Sequence, residues 1–388
     1  MTRVYLIRHA EAEGNYYRRI QGQWDGLITA LGRKQIDALA ERMKDIPFSA
    51  VYSSDLTRTQ TTAGAILKYH DLPLHTDPRL REIYMGSWEG LSWGNAARDF
   101  PEAYANFSTD PGKWHVEGSE SWEHLQNRLY NAIREIAARH DGETIAIVSH
   151  GTAIRALLCK LAGVPSSEIR TVAHGDNTCV TLLNVEGDSM DVEFACDNSH
   201  LDDATSTFSK QTWWRTGKDN GNLWFRPLNL ETESQFYLDC YADSWRTSHG
   251  NTDGFIPALY LISAKRWQDE NPNALAVAME DDTPVGVIGL DTTRGEEEKT
   301  GWIGFFYLLP DQRGKRYAAQ LLGYATTLYT QLGRERVCLH VAEDNVHAQG
   351  FYRHAGFEQI GESSGVGSKL LLMEKPLSRG VLPRPEEL

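Results

Sequence analysis

Cysteine is scarce in this chain and is not paired by spacing. The five thiols, Cys159, Cys179, Cys196, Cys240 and Cys338, are odd in number and include no CxxC pair. At 388 residues the chain is too long to depend on covalent staples, so a disulfide scaffold is excluded and a reducing, cytoplasmic compartment is expected. Positive charge is also in deficit, with 39 Lys and Arg against 53 Asp and Glu and a formal net charge of -14. That field repels polyanions, which argues against nucleic acid and anionic membrane as partners. A small anionic substrate then requires a local cluster of cations. No apolar run approaches a membrane span, and Met1 leads directly into an apolar stretch, so neither anchor nor cleaved leader is expected. Internal repeats and long low-complexity segments are missing as well.

What is present is an ordinary globular composition, 41% hydrophobic and 24% charged, in a chain longer than one core usually supports. Two domains are expected. Residues 3–7, 50–54 and 144–148 read as buried strands, alternating with helices at 29–45, from Asp55 as N-cap, around 122–136 and at 151–162. Two last strands, 178–183 and 189–195, complete an α/β unit with a largely parallel sheet over 1–203. A polar connection follows at 204–221, with Trp213-Trp214 expected to dock against the protein. A second strand and helix pattern occupies 222–376, and 377–388 reads as a frayed tail.

Four stretches of the first unit contain groups suited to one reaction. They are Arg8-His9 after the first strand, Arg58 in Ser53-Ser-Asp-Leu-Thr-Arg-Thr-Gln60, Glu82 in Leu80-Arg-Glu-Ile-Tyr-Met-Gly-Ser-Trp-Glu-Gly90, and His150 in Val148-Ser-His-Gly151. Taken singly, each has an ordinary structural reading: a capping histidine, a helix-surface arginine, a solvated carboxylate. Phosphoryl transfer, however, asks a protein mainly to hold a charged group in line and neutralise its oxygens, and two arginines with a histidine nucleophile and an acid supply those parts.

The four motifs in this order resemble the histidine phosphatase, or phosphoglycerate-mutase-like, superfamily. The resemblance implies a three-layer α/β domain and hydrolysis of a small phosphorylated metabolite without a required metal. His9 would be the nucleophile, Arg8, Arg58 and His150 would hold the phosphoryl group, and Glu82 would act as acid and base. Asn15 and Gln21 match positions near the substrate phosphate. Ala10 stands where the family usually has glycine. The segment between Gly90 and Glu120 is too short for the mutase branch's covering insertion, which favours a phosphatase. It is expected to form a lid over the leaving group carrying Trp93, Phe100, Tyr104, Phe107, Trp114 and His115.

In the second unit, Phe305-Phe-Tyr-Leu-Leu-Pro-Asp-Gln-Arg-Gly-Lys-Arg-Tyr-Ala-Ala-Gln-Leu-Leu322 joins a strand to a helix through a basic turn, where backbone amides and the helix dipole make an anion site. Together with Asn345-Val-His-Ala-Gln-Gly-Phe-Tyr-Arg-His-Ala-Gly-Phe357 it resembles the GNAT acetyltransferases, which implies an α+β domain using acetyl-CoA as cosubstrate and a small amine as acceptor. On that resemblance the turn Arg313, Gly314, Lys315, Arg316, Tyr317, Ala318 and Ala319 holds the coenzyme pyrophosphate, Leu308 and Leu309 offer strand backbone to the pantetheine, Asn345 contacts the coenzyme and Tyr352 is the general acid. Arg316 replaces the family's usual glycine. Glu280, Asp291 and Glu343 are candidates for the base, with none distinguished. A non-catalytic acyl-CoA sensor is the alternative for this domain, and a homodimer is compatible with either.

Overall fold

Period-two alternation decides which apolar residues face which layer of the first domain. In β1 (Thr2–Arg8), Val4 and Leu6 join one core and Ile7 the opposite one. The protein is represented by a computed structural model that describes residues 1–211, 221–365 and 369–383. Trp213-Trp214 and their expected docking lie outside the described residues. After α1 (Glu13–Tyr17), helices α2 (Ala30–Met43) and α3 (Thr57–Leu67) flank β2 (Ala50–Ser53) and pack Leu39, Met43 and Ile66 with Ile7 and Val148. Beyond β3 (Leu74–Thr76) come α4 (Trp93–Asp99), α5 (Pro101–Thr109) and α6 (Trp122–Ala137). Strand β4 (Thr144–Ser149) leads into α7 (Gly151–Leu161), and α6 and α7 bury Leu125, Leu129, Ile133 and Leu157 with Val4, Leu6 and Ile147 on the other face. With β5 (Val180–Glu186) and β6 (Ser189–Asp197), the sheet order is β3-β2-β4-β1-β5-β6, parallel from β3 to β1 and antiparallel at β5 and β6. This is the expected three-layer α/β architecture.

The second domain is a seven-stranded sheet in the order β12-β13-β11-β10-β9-β8-β7. In chain order its elements are β7 (Trp224–Pro227), α8 (Leu230–His249), α9 (Pro257–Glu270), β8 (Leu275–Glu280), β9 (Thr283–Asp291), β10 (Thr300–Leu308), α10 (Tyr317–Gln331), β11 (Arg336–Ala342), α11 (Val346–His354), β12 (Glu358–Ser364) and β13 (Lys369–Pro376). The parallel pair β10 and β11 stays bonded from Thr300↔Arg336 only to Ile303↔Leu339, although both strands continue. A register shift in β10 at Ile303/Phe305 accompanies the divergence. The two strands therefore part and leave a slot.

Two expectations are corrected. Asp55 does not cap α3: Leu56 holds that position, Thr57 N–H donates to Asp25 Oδ1 at 2.6 Å, and Asp55 instead accepts both 2.6 Å bonds of an Arg81 fork. The segment after Leu377 is not frayed through its described part. Asp25 N–H donates to Gly380 O at 2.8 Å, Trp24 bridges Val381, and Arg81 Nη1 donates to Pro383 O at 2.9 Å. The segment expected to form a lid also docks on the second domain. Trp88, Phe100, Phe107 and Trp114 pack on one another, and α4 lies against β7. Gly94 lets the Leu223 backbone approach to where a Cβ would meet its oxygen at 2.3 Å, and the Asn95 carboxamide bonds both backbone groups of Phe225.

The two domains share further contacts. Tyr17 is buried within the second domain's core, Arg19 lies 5.2 Å from the Phe225 ring centroid, and the buried Glu13 and Lys375 pair at 2.8 Å.

Candidate active sites

Ligands of parallel α/β sheets bind beyond the carboxyl ends of the strands. Here the adjacent strands β1, β4 and β2 deliver Arg8-His9, His150 and Ser53-Ser54 to that edge. The His9 and His150 rings lie 5.3 Å apart by centroid. His9 is buried, and its Nδ1 is 2.7 Å from Ala10 O, a carbonyl that can only accept. The proton of a neutral ring is thus fixed on Nδ1, and Nε2 keeps its lone pair. Burial first, then the charges of Arg58 and Arg8, hold the imidazolium well below the ordinary histidine range.

Arg58 is fully buried and tied at three points: Nη1 to Trp24 O and Nη2 to Gly22 O, each at 2.6 Å, and Nε to His150 Nδ1 at 3.2 Å. His150 Nε2 is 2.7 Å from Ser54 Oγ. Both ring nitrogens of His150 are therefore engaged within the protein, which differs from the expectation of a free donor and adds the task of orienting Arg58. Arg8 donates from Nη1 to Gly175 O at 2.5 Å, while its buried Nε has no partner among the described residues. Gly151 leaves room for it, since a Cβ there would lie 3.0 Å from that Nε and press on the guanidinium.

Glu82 sits at the start of α7, accepting from Thr152 N at 2.9 Å, Ala153 N at 2.8 Å and Ile83 N at 3.0 Å. Its backbone carbonyl receives Gln23 Nε2 and Arg128 Nη2. Asn15 Oδ1 accepts from Ala12 N at 3.1 Å and so closes the turn after His9. Gln21 is wedged between Gly14 and Gly26, with its Nε2 buried and unpartnered among the described residues, in the seam with the second domain. The structure thus groups Arg8, His9, Arg58, Glu82 and His150, and sets Gln21 to one side.

Several supporting residues carried no readable sequence signal. Glu120 and Arg128, both buried, form a two-bond ion pair at 2.9 and 2.8 Å, and Arg128 Nη1 holds the carbonyls of Arg79 and Arg81. Eight positions apart on either side of a helix start, they match no helical neighbour spacing.

The slot between β10 and β11 opens into a cleft of about 1220 Å³. Leu308, Arg313, Gly314, Lys315, Arg316, Tyr317, Ala318, Ala319, Asn345 and Tyr352 all line it. Leu309 does not: its N–H donates to Val285 O at 3.0 Å and its carbonyl accepts from Gln312 N, so its backbone is already used. Arg313 N–H reaches Pro310 O at 3.4 Å, whereas Gly314 and Lys315 N–H groups have no backbone acceptor among the described residues. Arg316 adopts φ 65°, a left-handed conformation that suits the family's glycine and costs a side chain about 1 kcal/mol. Unused amides at a helix start, basic side chains and parted strands fit an acyl-coenzyme A.

Tyr352 is buried, which pushes its hydroxyl well above the ordinary range and keeps it protonated. Asn345 Oδ1 caps α11 through Ala348 N at 3.1 Å. The three candidate bases stand outside the cleft lining: Glu280 takes a hydrogen bond from Tyr317, Asp291 pairs with Arg266 at 2.7 Å and Glu343 pairs with Lys369 at 3.6 Å. His340 lines the cleft, and burial followed by the Arg294 charge lowers its pKa.

The first site has the make-up of a phosphoryl pocket built around a neutral, buried histidine, and the second that of an acyl-coenzyme cleft. The chain belongs to the histidine phosphatase superfamily (branch 1), whose family model matches residues 4–198, and residues 235–357 match the acetyltransferase (GNAT) family. Phosphoserine phosphatase 1 of Hydrogenobacter thermophilus is 32% identical over 186 residues, covering 48% of this chain and 88% of that protein. A metal-independent phosphoserine phosphatase of Arabidopsis thaliana is 34% identical over 204 residues, 52% of this chain and 84% of that protein. Among solved structures, Bacillus stearothermophilus YhfR matches with a TM-score of 0.50 and 32% identity, covering 52% of this chain and 99% of its own.

Proposed function

We propose that the chain is a bifunctional enzyme whose first domain hydrolyses a small phosphomonoester through a phosphohistidine. One observation carries this reading: His9 is buried within reach of the charges of Arg58 and Arg8, with Nδ1 committed to Ala10 O and Nε2 left to attack. The His9 Nε2–P bond forms as the ester P–O bond breaks, and Glu82 gives the leaving oxygen its proton. Water then attacks phosphorus, Glu82 takes a proton from it, the N–P bond breaks, and His9 returns neutral with inorganic phosphate released. Given the names of its relatives, O-phospho-L-serine is the first substrate to try, and the chemistry needs no metal.

Phosphate release from a panel of phosphorylated metabolites, run in EDTA with the full chain, tests this. Turnover should persist in the chelator and fall about 10³-fold or more in His9→Ala and about 10²-fold in Glu82→Gln. A folded His9→Ala variant that keeps wild-type turnover overturns it.

In the second domain, Gly314 and Lys315 amides hold coenzyme phosphates; an amine attacks the acetyl carbonyl, the C–S bond breaks as Tyr352 gives the departing thiolate its proton, and the proton shed by the acetylated nitrogen passes through solvent to restore Tyr352. A second reading, an acyl-coenzyme sensor, is favoured by the engagement of Glu280, Asp291 and Glu343 elsewhere. Coenzyme binding without acetylation of any amine in a broad panel supports the sensor, and free-thiol release with one amine supports the transferase.

A further inference from the structure

The coenzyme cleft is not built by one domain. Its five lining cations are Arg313, Lys315 and Arg316 from the phosphate turn, and Arg18 and Lys34 from the phosphatase domain, while Glu11 is the one lining carboxylate among the described residues. In a chain with a net charge of -14, such a wall concentrates positive potential where the rest of the surface disperses negative.

The two sets of cations are brought together by packing. Helix α1 lies against α10, so closely that a Cβ at Gly323 would be 2.6 Å from Tyr17 Cβ. Tyr16 faces α11, its ring 5.7 Å from that of His354. Arg18 Nε donates to Asn222 Oδ1 at 2.8 Å, next to Gly221, where a Cβ would be 3.5 Å from the Tyr317 ring at the start of α10. Lys34 stands exposed on α2 and makes no ion pair among the described residues.

We propose that the coenzyme site is shared between the domains, with Lys34 and Arg18 of the phosphatase domain binding phosphate groups of an acyl-coenzyme A whose pyrophosphate sits on the Gly314–Ala319 turn. The proposal rests on the reading of the second domain as coenzyme-binding. A coenzyme A carries a 3′-phosphate besides its pyrophosphate, more negative charge than one turn of amides can meet, and the cations of the first domain line the same cleft as that turn.

Calorimetric titration of the full-length chain with coenzyme A tests this, using wild type, Lys34→Glu and Lys68→Glu. Lys68 lies on the same domain outside the cleft, so its reversal makes the same change in net charge. Lys34→Glu should weaken binding about tenfold or more, and Lys68→Glu should stay within about twofold of wild type. Arg18→Gln, checked by its melting temperature, should weaken binding in the same direction. Equal affinities for Lys34→Glu and Lys68→Glu overturn the shared site while leaving a coenzyme-binding second domain intact. No binding by wild type at millimolar coenzyme A overturns that reading itself.

Discussion

His9 is buried beside two guanidinium groups, and its depressed pKa sets two measurable consequences. An ordinary histidine nucleophile loses half its neutral form near pH 6.5; His9 does not, so kcat/KM corrected for substrate ionisation should show no acidic limb near that pH. The same shift opposes stability in acid. Because folding lowers the pKa, the unfolded chain takes a proton below about pH 6.5 while the folded chain does not, and stability falls with pH by up to about 1.4 kcal/mol per unit per group until the folded pKa is reached. His150 and His174 are lowered in the same way, chiefly by burial. Denaturant titrations at pH 7, 6 and 5 should show the loss, and His174→Gln should remove about one proton's worth of its slope. Arg8, His9, Arg58, Glu82 and His150 were legible in the sequence because each sits in a distinctive short motif. Their anchors were not: the carbonyls of Gly22, Trp24 and Gly175 hold two arginines, and a backbone carbonyl has no letter of its own.

At the scale of elements, apolar periodicity revealed most of the strands and helices, and what it could not give was which loops meet. Asp55 precedes a helix and so reads as its cap, yet Arg81 claims it and Asp25 serves the helix start from another loop. The stretch after Leu377 reads as a tail because its composition is polar and proline-bearing. In the fold it crosses back to the first domain and binds Trp24, Asp25 and Arg81. Trp24 and Asp25 in turn hold Arg58 and the first residue of its helix. Ending the chain at Leu377 is therefore expected to lower phosphatase kcat/KM by about tenfold or more, since small misplacements of a charged clamp are costly. Phosphate release by the truncated and full chains checks this, and equal activities would remove the segment from the account.

At the scale of the molecule, the sequence indicated two domains but not how they meet, because the residues that join them look like ordinary members of their own elements. Tyr17 is buried in the other domain's core; Glu13 and Lys375, 362 positions apart by number, form a buried pair. Removing one partner leaves a buried charge, at a cost of about 3 kcal/mol. Lys375→Met should lower the melting temperature and split the calorimetric transition, and adding Glu13→Gln should recover part of the loss. The central claim, catalysis through His9, is tested most directly by labelling. Full chain mixed with a ³²P-labelled substrate and quenched within milliseconds should hold protein-bound label that is lost in acid, stable in base and missing from His9→Ala. Label that survives acid, or that forms equally in His9→Ala, contradicts it.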